Sequence, residues 1–166
     1  MENNNITPES NFHSKWILWY HHIKDNWKID GYRELYKISN IEDYWILYNN
    51  WDKLGGINNK HFFLMRDGIL PLWEDKENKN GGCWSFKKNE NEANEIWNEL
   101  SLFLVGETLS LEKELVNGIS ICLKKGKKSV IKIWNNNKSK SNIEFINKKI
   151  LEKWGTDIIY IQNNSK

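Results

Sequence analysis

Several things are scarce in this sequence. Only two arginines, Arg33 and Arg66, occur among its 24 basic residues, and only two cysteines, Cys83 and Cys122, are present. Two cysteines form no disulfide framework and no metal-ligand spacing, which indicates a reducing compartment. No apolar run approaches the roughly 18 residues of a membrane span. The amino-terminal stretch MENNNITPES also lacks the apolar segment of a signal peptide. We therefore expect a cytoplasmic protein that does not enter membranes.

The motifs of the common enzyme classes are also missing. The four histidines form neither HExxH nor a Cys–His metal spacing, and no GxSxG or P-loop occurs. Adjacent acids, such as Glu42–Asp43 and Glu74–Asp75, are more often solvated than catalytic. These absences favour a protein that is not an enzyme and that carries no metal and no cofactor.

Length and charge limit the class of ligand. The 166 residues suit one domain, which we place at 12–166 behind a polar, disordered tail at 1–11. A net charge of +2 is too small for a protein that coats nucleic acid by charge alone. It permits a small anionic ligand in a local basic cluster.

The abundant lysine and asparagine are typical of AT-rich genomes, such as those of protists and large DNA viruses. If the source is a virus, the cytoplasm in question is that of its host. We expect a monomer.

Tryptophan is the residue present in excess, with ten copies in the chain. A core of this size uses about half of them. We assign five to the core, because they fall on predicted strands or helices: Trp16, Trp19, Trp84, Trp97 and Trp154. Tryptophans beyond the need of the core usually recognise a flat ligand or a partner.

Hydrophobic periodicity predicts an α+β fold with a mostly antiparallel sheet and helices on one face. Strands are expected at 12–23, 32–39, 61–69, 82–88, 118–125, 129–135 and 157–163, and helices at 40–52, 91–105 and 141–155. Capping-box spacing marks the first helix at Ser39 and Glu42 and the third at Ser141 and Glu144. A hairpin turn is expected at Gly126.

The loop LPLWEDKENKNGG, residues 70–82, places Trp73 beside Glu74. Recognition of a flat heterocycle needs an aromatic platform, an acid that accepts N–H bonds, and an anchor for phosphate. This loop offers the first two at adjacent positions. We interpret residues 75–80 as solvated loop.

Six segments in this order resemble the translation initiation factor 4E family: WILWY, SNIEDYWILYN, RDGILPLWEDKENKNGGCWSF, IWNEL, LVGE and IKIW. The resemblance implies a curved antiparallel sheet with three helices on its convex face. It also implies a slot on the concave face for the 7-methylguanosine cap of messenger RNA. Trp27 and Trp73 would sandwich the base, Glu74 would accept its N–H groups, and Trp134 would contact the N7-methyl group.

The same resemblance implies anchors for the cap triphosphate. Lys124 stands where the family has an arginine, and a lysine lacks the planar fork of that side chain. A second anchor falls on Lys128 or Lys127, with Lys132 as a further alternative. Cys83 and Cys122 replace polar family residues, and the family's C-terminal loop is largely missing after Ile161, so we expect a weaker hold on phosphate.

A partner surface is implied on the convex side, where the family binds a helical YxxxxLΦ motif of a scaffold protein such as initiation factor 4G. The matching positions are Ile41, Trp45, Glu99 and Leu102. Two departures, Asn98 in place of leucine and the stretch Ser10–Phe12, motivate an alternative without scaffold binding, and Cys83, Cys122 and the short C-terminus motivate one without cap binding. The leading hypothesis is a cap-binding protein that promotes translation initiation. The others are a cap-sequestering repressor without scaffold binding, and an interaction module that binds no cap.

Overall fold

The computed structural model describes residues 11–57, 60–124 and 127–163, which form one antiparallel sheet and three α-helices. The strands are β1 (Asn11–His21), β2 (Tyr32–Asn40), β3 (His61–Arg66), β4 (Gly82–Asn89), β5 (Val116–Lys124), β6 (Lys128–Asn135) and β7 (Ile159–Gln162). The helices are α1 (Ile41–Asn49), α2 (Ala93–Val105) and α3 (Lys148–Trp154). The predicted fold class is confirmed. The expected tail lies outside the described residues except for Asn11, and so does the expected turn at Gly126.

The seven strands lie in the order β2-β1-β3-β5-β6-β4-β7, and every neighbouring pair is antiparallel. The central pair, β3 with β5, joins strands from the two halves of the chain, with Phe63 opposite Ser120. The sheet is curved. Segments that are far apart in sequence are thereby brought onto one surface.

The alternation of side chains along each strand gives the sheet two apolar faces. One face packs with the helices in the main core, which includes Trp16, Leu64 and Ile119. The opposite face, on which none of the described α-helices packs, carries a smaller cluster of buried side chains: Ile17, Trp19, Tyr32, Phe63, Met65, Ile69, Cys83 and Trp134. All five tryptophans assigned to the core are buried, as predicted.

The beginning of α1 differs from the prediction by one residue. Asn40 is the N-cap, and its side chain accepts a bond of 2.9 Å from the Asp43 amide. The Asp43 carboxylate in turn accepts a bond of 2.8 Å from the Ser39 amide. The predicted Ser39–Glu42 box is therefore wrong, because Asn40 and Asp43 satisfy the free amides instead. The buried residues of α1 are Tyr44, Leu47 and Tyr48, whereas Trp45 is 48% exposed.

The third helix is shorter than predicted. A 3₁₀ turn occupies Ile143–Phe145, and Ile146 forms a bridge with Ser110, which takes it out of any helix. Asn147 then caps α3 by accepting a bond from the Lys149 amide at 2.9 Å. The predicted helix start at Ser141 is wrong, since Asn142 caps the 3₁₀ turn and Asn147 caps α3.

A partly buried ion pair fastens the end of β3 to the segment after α2. The Arg66 guanidinium donates to Glu107 at 2.7 Å, to the Ser14 hydroxyl at 2.7 Å and to the Val116 carbonyl at 2.8 Å. It also lies over the Trp16 ring, 4.5 Å from its centroid. Both charged side chains are shielded from water, with 14% and 12% of their surfaces exposed.

None of the helices in the described residues combines the length and apolar character required to cross a bilayer.

Candidate ligand-binding cavity

A cavity of about 500 Å³ opens on the helix-free face of the sheet. Its wall combines aromatic rings with one carboxylate and one ammonium group. The aromatic and charged residues of this wall include Trp27, His61, Trp73, Glu74, Lys132 and Trp134. Their sequence positions run across most of the chain, and the β3–β5 pairing brings them together.

Trp27 is held on one face and open on the other. The His21 ring stacks on its indole with a centroid distance of 4.1 Å and an interplanar angle of 18°. His21 Nε2 also donates to the Asn26 carbonyl at 2.7 Å, which fixes the backbone just before Trp27. The Trp27 side chain nevertheless stays 57% exposed at the cavity. The sequence did not predict this role of His21, because the stacking of His21 on Trp27 depends on the geometry of the loop and not on a motif.

The loop that carries Trp73 is organised by two of its own side chains. Asp75 accepts bonds of 2.9 Å from the amides of Leu70 and Glu77. Asn78 is fully buried and donates to the carbonyls of Leu70 and Leu72 at 3.0 and 2.8 Å. The interpretation of residues 75–80 as solvated loop is therefore wrong for Asp75 and Asn78. The spacing of Asp75 and Glu77 is that of an Asx turn, a signal that was available in the sequence.

Two glycines let the loop rejoin the sheet. A Cβ atom on Gly81 would lie 1.9 Å from the Asn135 carbonyl oxygen. One on Gly82 would lie 2.4 Å from the Ile161 carbonyl oxygen. Both distances are far inside contact range, so any side chain here would displace the strand beside the cavity.

We expect Asn78→Ala to lower the free energy of unfolding by about 2 kcal/mol, because it removes a buried amide that donates to the Leu70 and Leu72 carbonyls and accepts from Asn117. Urea denaturation measures the change. Asn80→Ala is the matched control, since Asn80 is exposed in the same loop, and it should change stability by less than about 0.5 kcal/mol. Equal stabilities of the two variants would contradict this account of the loop.

Glu74 presents a carboxylate to the cavity beside Trp73 and Tyr32. Burial, and to a smaller extent the nearby charge of Glu74, together raise the pKa of the Tyr32 hydroxyl to about 12. Within residues 11–57, 60–124 and 127–163, no hydrogen bond engages this carboxylate. Glu74 can therefore accept bonds from a ligand that lies between the two exposed indoles.

Trp134 forms the floor of the cavity and differs from the other two indoles. It is only 7% exposed, and its Nε1 donates to the Ser120 hydroxyl at 3.1 Å. Its ring meets Phe63 edge-on at 6.0 Å. The neighbouring Cys83 is also buried, and this burial raises the pKa of its thiol to about 12, so the thiol stays protonated and unreactive at neutral pH.

The predicted phosphate lysines are not all brought to this cavity. Lys132 lies on its wall, and Lys124, at the end of β5, is close enough for its charge to act on His61. Lys128 donates instead to the Asn89 side chain at 2.5 Å, and Lys127 borders a separate shallow depression with Asn89. The positive charge at the cavity therefore comes from Lys132 and Lys124.

His61 is a half-buried histidine on the cavity wall. Its pKa is lowered to about 3, first by burial and then by the nearby His21, Lys124 and Lys132. The ring packs on Phe63 at 4.3 Å and lies 6.1 Å from Trp27. His61 is therefore neutral at neutral pH and offers one N–H donor and one nitrogen acceptor.

This lowered pKa predicts a loss of stability in acid. The unfolded chain binds a proton at His61 below about pH 6.5, whereas the native state does so only near pH 3. The free energy of unfolding should therefore fall with pH below about 6.5, by about 1 to 2 kcal/mol at about pH 5. His61→Phe should lose this part of the pH dependence, as measured by urea denaturation at several pH values. A variant with the wild-type pH dependence would refute the assignment.

A scan against family models matches residues 11–166 to the model described as eukaryotic initiation factor 4E. The chain belongs to this family. The eukaryotic translation initiation factor 4E of Candida albicans is 35% identical to it over 122 residues, which are 68% of the chain and 58% of that protein. The factor 4E-1 of Caenorhabditis elegans is 32% identical over 72% of the chain. This initiation factor 4E homologue thus spans 58% of the length of each of these relatives.

Solved structures agree in fold with this member of the 4E family. The complex of Ascaris suum eIF4E-3 with the m7G cap covers 96% of the chain and 94% of its own, with a TM-score of 0.80 and 23% identity. The complex of C. elegans eIF4E-3 with the 4E-binding protein Mextli covers 93% of each chain, with a TM-score of 0.78 and 22% identity.

The opposite side of the 4E-family domain exposes an apolar patch on α1 and α2. Trp45 is 48% exposed, its neighbour Ile46 is 56% exposed, and Leu102 is 39% exposed. Ile41 is half-buried, and Glu99 forms an ion pair with Lys153 at 2.7 Å. The structure thus brings all four sequence-predicted partner residues to one side of the domain, with Trp45 and Leu102 the most exposed of them.

Proposed function

We propose that the protein binds the 7-methylguanosine cap of messenger RNA and recruits capped messages for translation initiation in the cytoplasm. One observation carries the proposal: two indoles, Trp27 and Trp73, are exposed at a single cavity that also presents the Glu74 carboxylate, to which no residue of the described ranges forms a hydrogen bond. Membership of the initiation factor 4E family supports it, and so does the resemblance in fold to a protein solved with the m7G cap.

The base would lie between the faces of Trp27 and Trp73, with its N1–H and 2-amino groups directed at Glu74. Methylation at N7 makes the base cationic, and a cation over an indole gains about 0.5–2 kcal/mol. The same charge makes the N–H groups better donors to a carboxylate. Trp134 would form the apolar floor near the methyl group. Unmethylated guanine lacks both gains, so discrimination follows from charge as well as from shape.

The triphosphate would be anchored by Lys132 and Lys124. Lys132 lies on the cavity wall, and both ammonium groups are near enough to act on His61. Each binds phosphate as a point charge and does not supply the bidentate fork of an arginine. Lys128 donates a hydrogen bond to the Asn89 side chain, and Lys127 lies near the same asparagine, outside the cavity. These two lysines would therefore contact only longer ligands that extend past the triphosphate.

The exposed patch on α1 and α2 would receive a helical YxxxxLΦ segment of a scaffold of the initiation factor 4G kind. Trp45 and Leu102 supply apolar surface for its hydrophobic residues. A neighbour in fold, C. elegans eIF4E-3, was solved with the 4E-binding protein Mextli, which supports a partner on this family of domains. Glu99 accepts a hydrogen bond from Lys153, and this bond would have to break before Glu99 could accept one from the partner.

Retention on 7-methylguanosine-triphosphate resin tests the cap proposal. We expect the protein to bind the resin, to be eluted by free 7-methylguanosine triphosphate, and to resist elution by GTP at the same concentration. Titration of tryptophan fluorescence should show quenching, because the base covers the exposed indoles. Trp73→Ala should no longer be retained. Failure of the wild type to bind, or equal competition by GTP, would refute the proposal.

A further inference from the structure

We propose that His61 is the contact for the ribose of the bound nucleotide, through hydrogen bonds between its imidazole and the sugar hydroxyl groups. The inference rests on the proposed function and adds a residue to it. It assigns a role to a side chain on the cavity wall that neither the base nor the phosphates would use.

The position of His61 in the cavity fits a contact with the sugar. The sugar of a nucleotide joins the base to the phosphates, so it must lie between the groups that bind those two parts. His61 lies in this place: its ring centroid is 6.1 Å from that of Trp27, one of the two base platforms. The charges of Lys124 and Lys132, the two lysines proposed to bind phosphate, also reach His61.

The orientation of the His61 ring is fixed by its neighbours. His61 and Phe63 are two residues apart on β3, so both point to the cavity face, and their rings pack with centroids 4.3 Å apart. The His21 ring meets His61 edge-on at 5.9 Å. These contacts hold the imidazole in place before a ligand arrives, which reduces the entropy lost on binding.

The ring nitrogens of His61 are available for hydrogen bonds to a ligand. No residue in the described parts of the chain hydrogen-bonds to either ring nitrogen of His61. A neutral imidazole has one donor and one acceptor, and a hydroxyl group can complement either of them. Phenylalanine would serve equally well if the residue only packed against Phe63, so His61→Phe separates the two roles.

The test is a double comparison of protein variant and ligand. Affinities are measured by tryptophan fluorescence for 7-methylguanosine triphosphate and for its 2′-deoxy and 3′-deoxy forms. With the wild type, at least one deoxy form should bind about three- to tenfold more weakly. With His61→Phe, the parent ligand should show the same loss, and the deoxy form should bind no worse than the parent.

Two further variants sharpen the result. His13→Phe changes an exposed histidine away from the cavity and should behave as the wild type with every ligand. His61→Gln keeps a donor and an acceptor and should preserve some dependence on the hydroxyl groups. The comparison of the three ligands with the wild type does not depend on the folding of any variant, and His61→Gln provides a second variant if His61→Phe does not fold.

Two outcomes would overturn the ribose contact while leaving cap binding intact. One is an equal affinity of the wild type for all three ligands. The other is a loss on deoxygenation that is as large in His61→Phe as in the wild type. No binding of 7-methylguanosine triphosphate by the wild type would be a different result, which overturns the proposed function and the ribose contact together.

Discussion

Glu74→Ala should weaken the binding of 7-methylguanosine triphosphate by roughly 100- to 1000-fold, about 3 to 4 kcal/mol. The carboxylate faces the cavity and no described residue engages it, so its bonds are available to the ligand. Its removal would leave two N–H donors of a cationic base between Trp27 and Trp73 without acceptors. Stacking alone contributes about 1–3 kcal/mol for each base contact and cannot replace them.

Two variants of the same loop control this result. Glu77→Ala removes an exposed acid of the loop and should change the affinity by less than about threefold, which is the scale of a screened surface charge. Glu74→Gln keeps the shape but places a donor against a donor, so it should lose most of the affinity. Fluorescence titration measures all three variants. A Glu74→Ala protein with wild-type affinity would show that Glu74 does not accept hydrogen bonds from the N–H groups of the base.

Arg66→Ala should lower the free energy of unfolding by about 3 to 5 kcal/mol, the usual cost of breaking a buried ion pair on one side. The guanidinium holds Glu107, Ser14 and the Val116 carbonyl together. Its loss leaves the Glu107 carboxylate shielded and without its partner, and it also removes the cation over Trp16. Guanidinium chloride denaturation at neutral pH measures the change.

The exposed pair of Lys37 and Asp67 is the control for this prediction. Its charged atoms lie 3.3 Å apart, but about half of each side chain is in water, so Lys37→Ala should cost less than about 1 kcal/mol. Arg66→Ala in a Glu107→Ala background should cost much less than in the wild type, since the unpaired carboxylate is gone. Similar costs for Lys37→Ala and Arg66→Ala would contradict the importance given to burial.

The strands and the fold class could be predicted because strand periodicity and burial agree along most of the chain. Successive residues of β1, such as Trp16 and Ile17, lie in different apolar clusters, as a two-faced sheet requires. The helix ends were predicted less well. Asparagines compete with serines as caps here, and the choice between Asn40 and Ser39 depends on which side chain reaches the free amide.

Sequence reasoning assigned Trp27, Trp73 and Glu74 to one site through the resemblance to a family, and the structure places all three on one cavity. It named Lys132 only as an alternative phosphate anchor, and it did not find His21. His21 lies under Trp27 because of loop geometry, and Lys132 reaches the cavity because of the register between β5 and β6. Neither relation is visible as a spacing along the chain.

The pairing of β3 with β5 places the cavity across the junction between the two halves of the chain. Trp27, Tyr32 and His61 come from one half of the chain, and Ser120, Lys132 and Trp134 come from the other. A ligand that contacts both groups bridges the seam between the halves and binds only when they are joined. Occupancy should therefore slow amide hydrogen exchange at Phe63 and Ser120, and it should raise the melting temperature in proportion to the logarithm of ligand concentration.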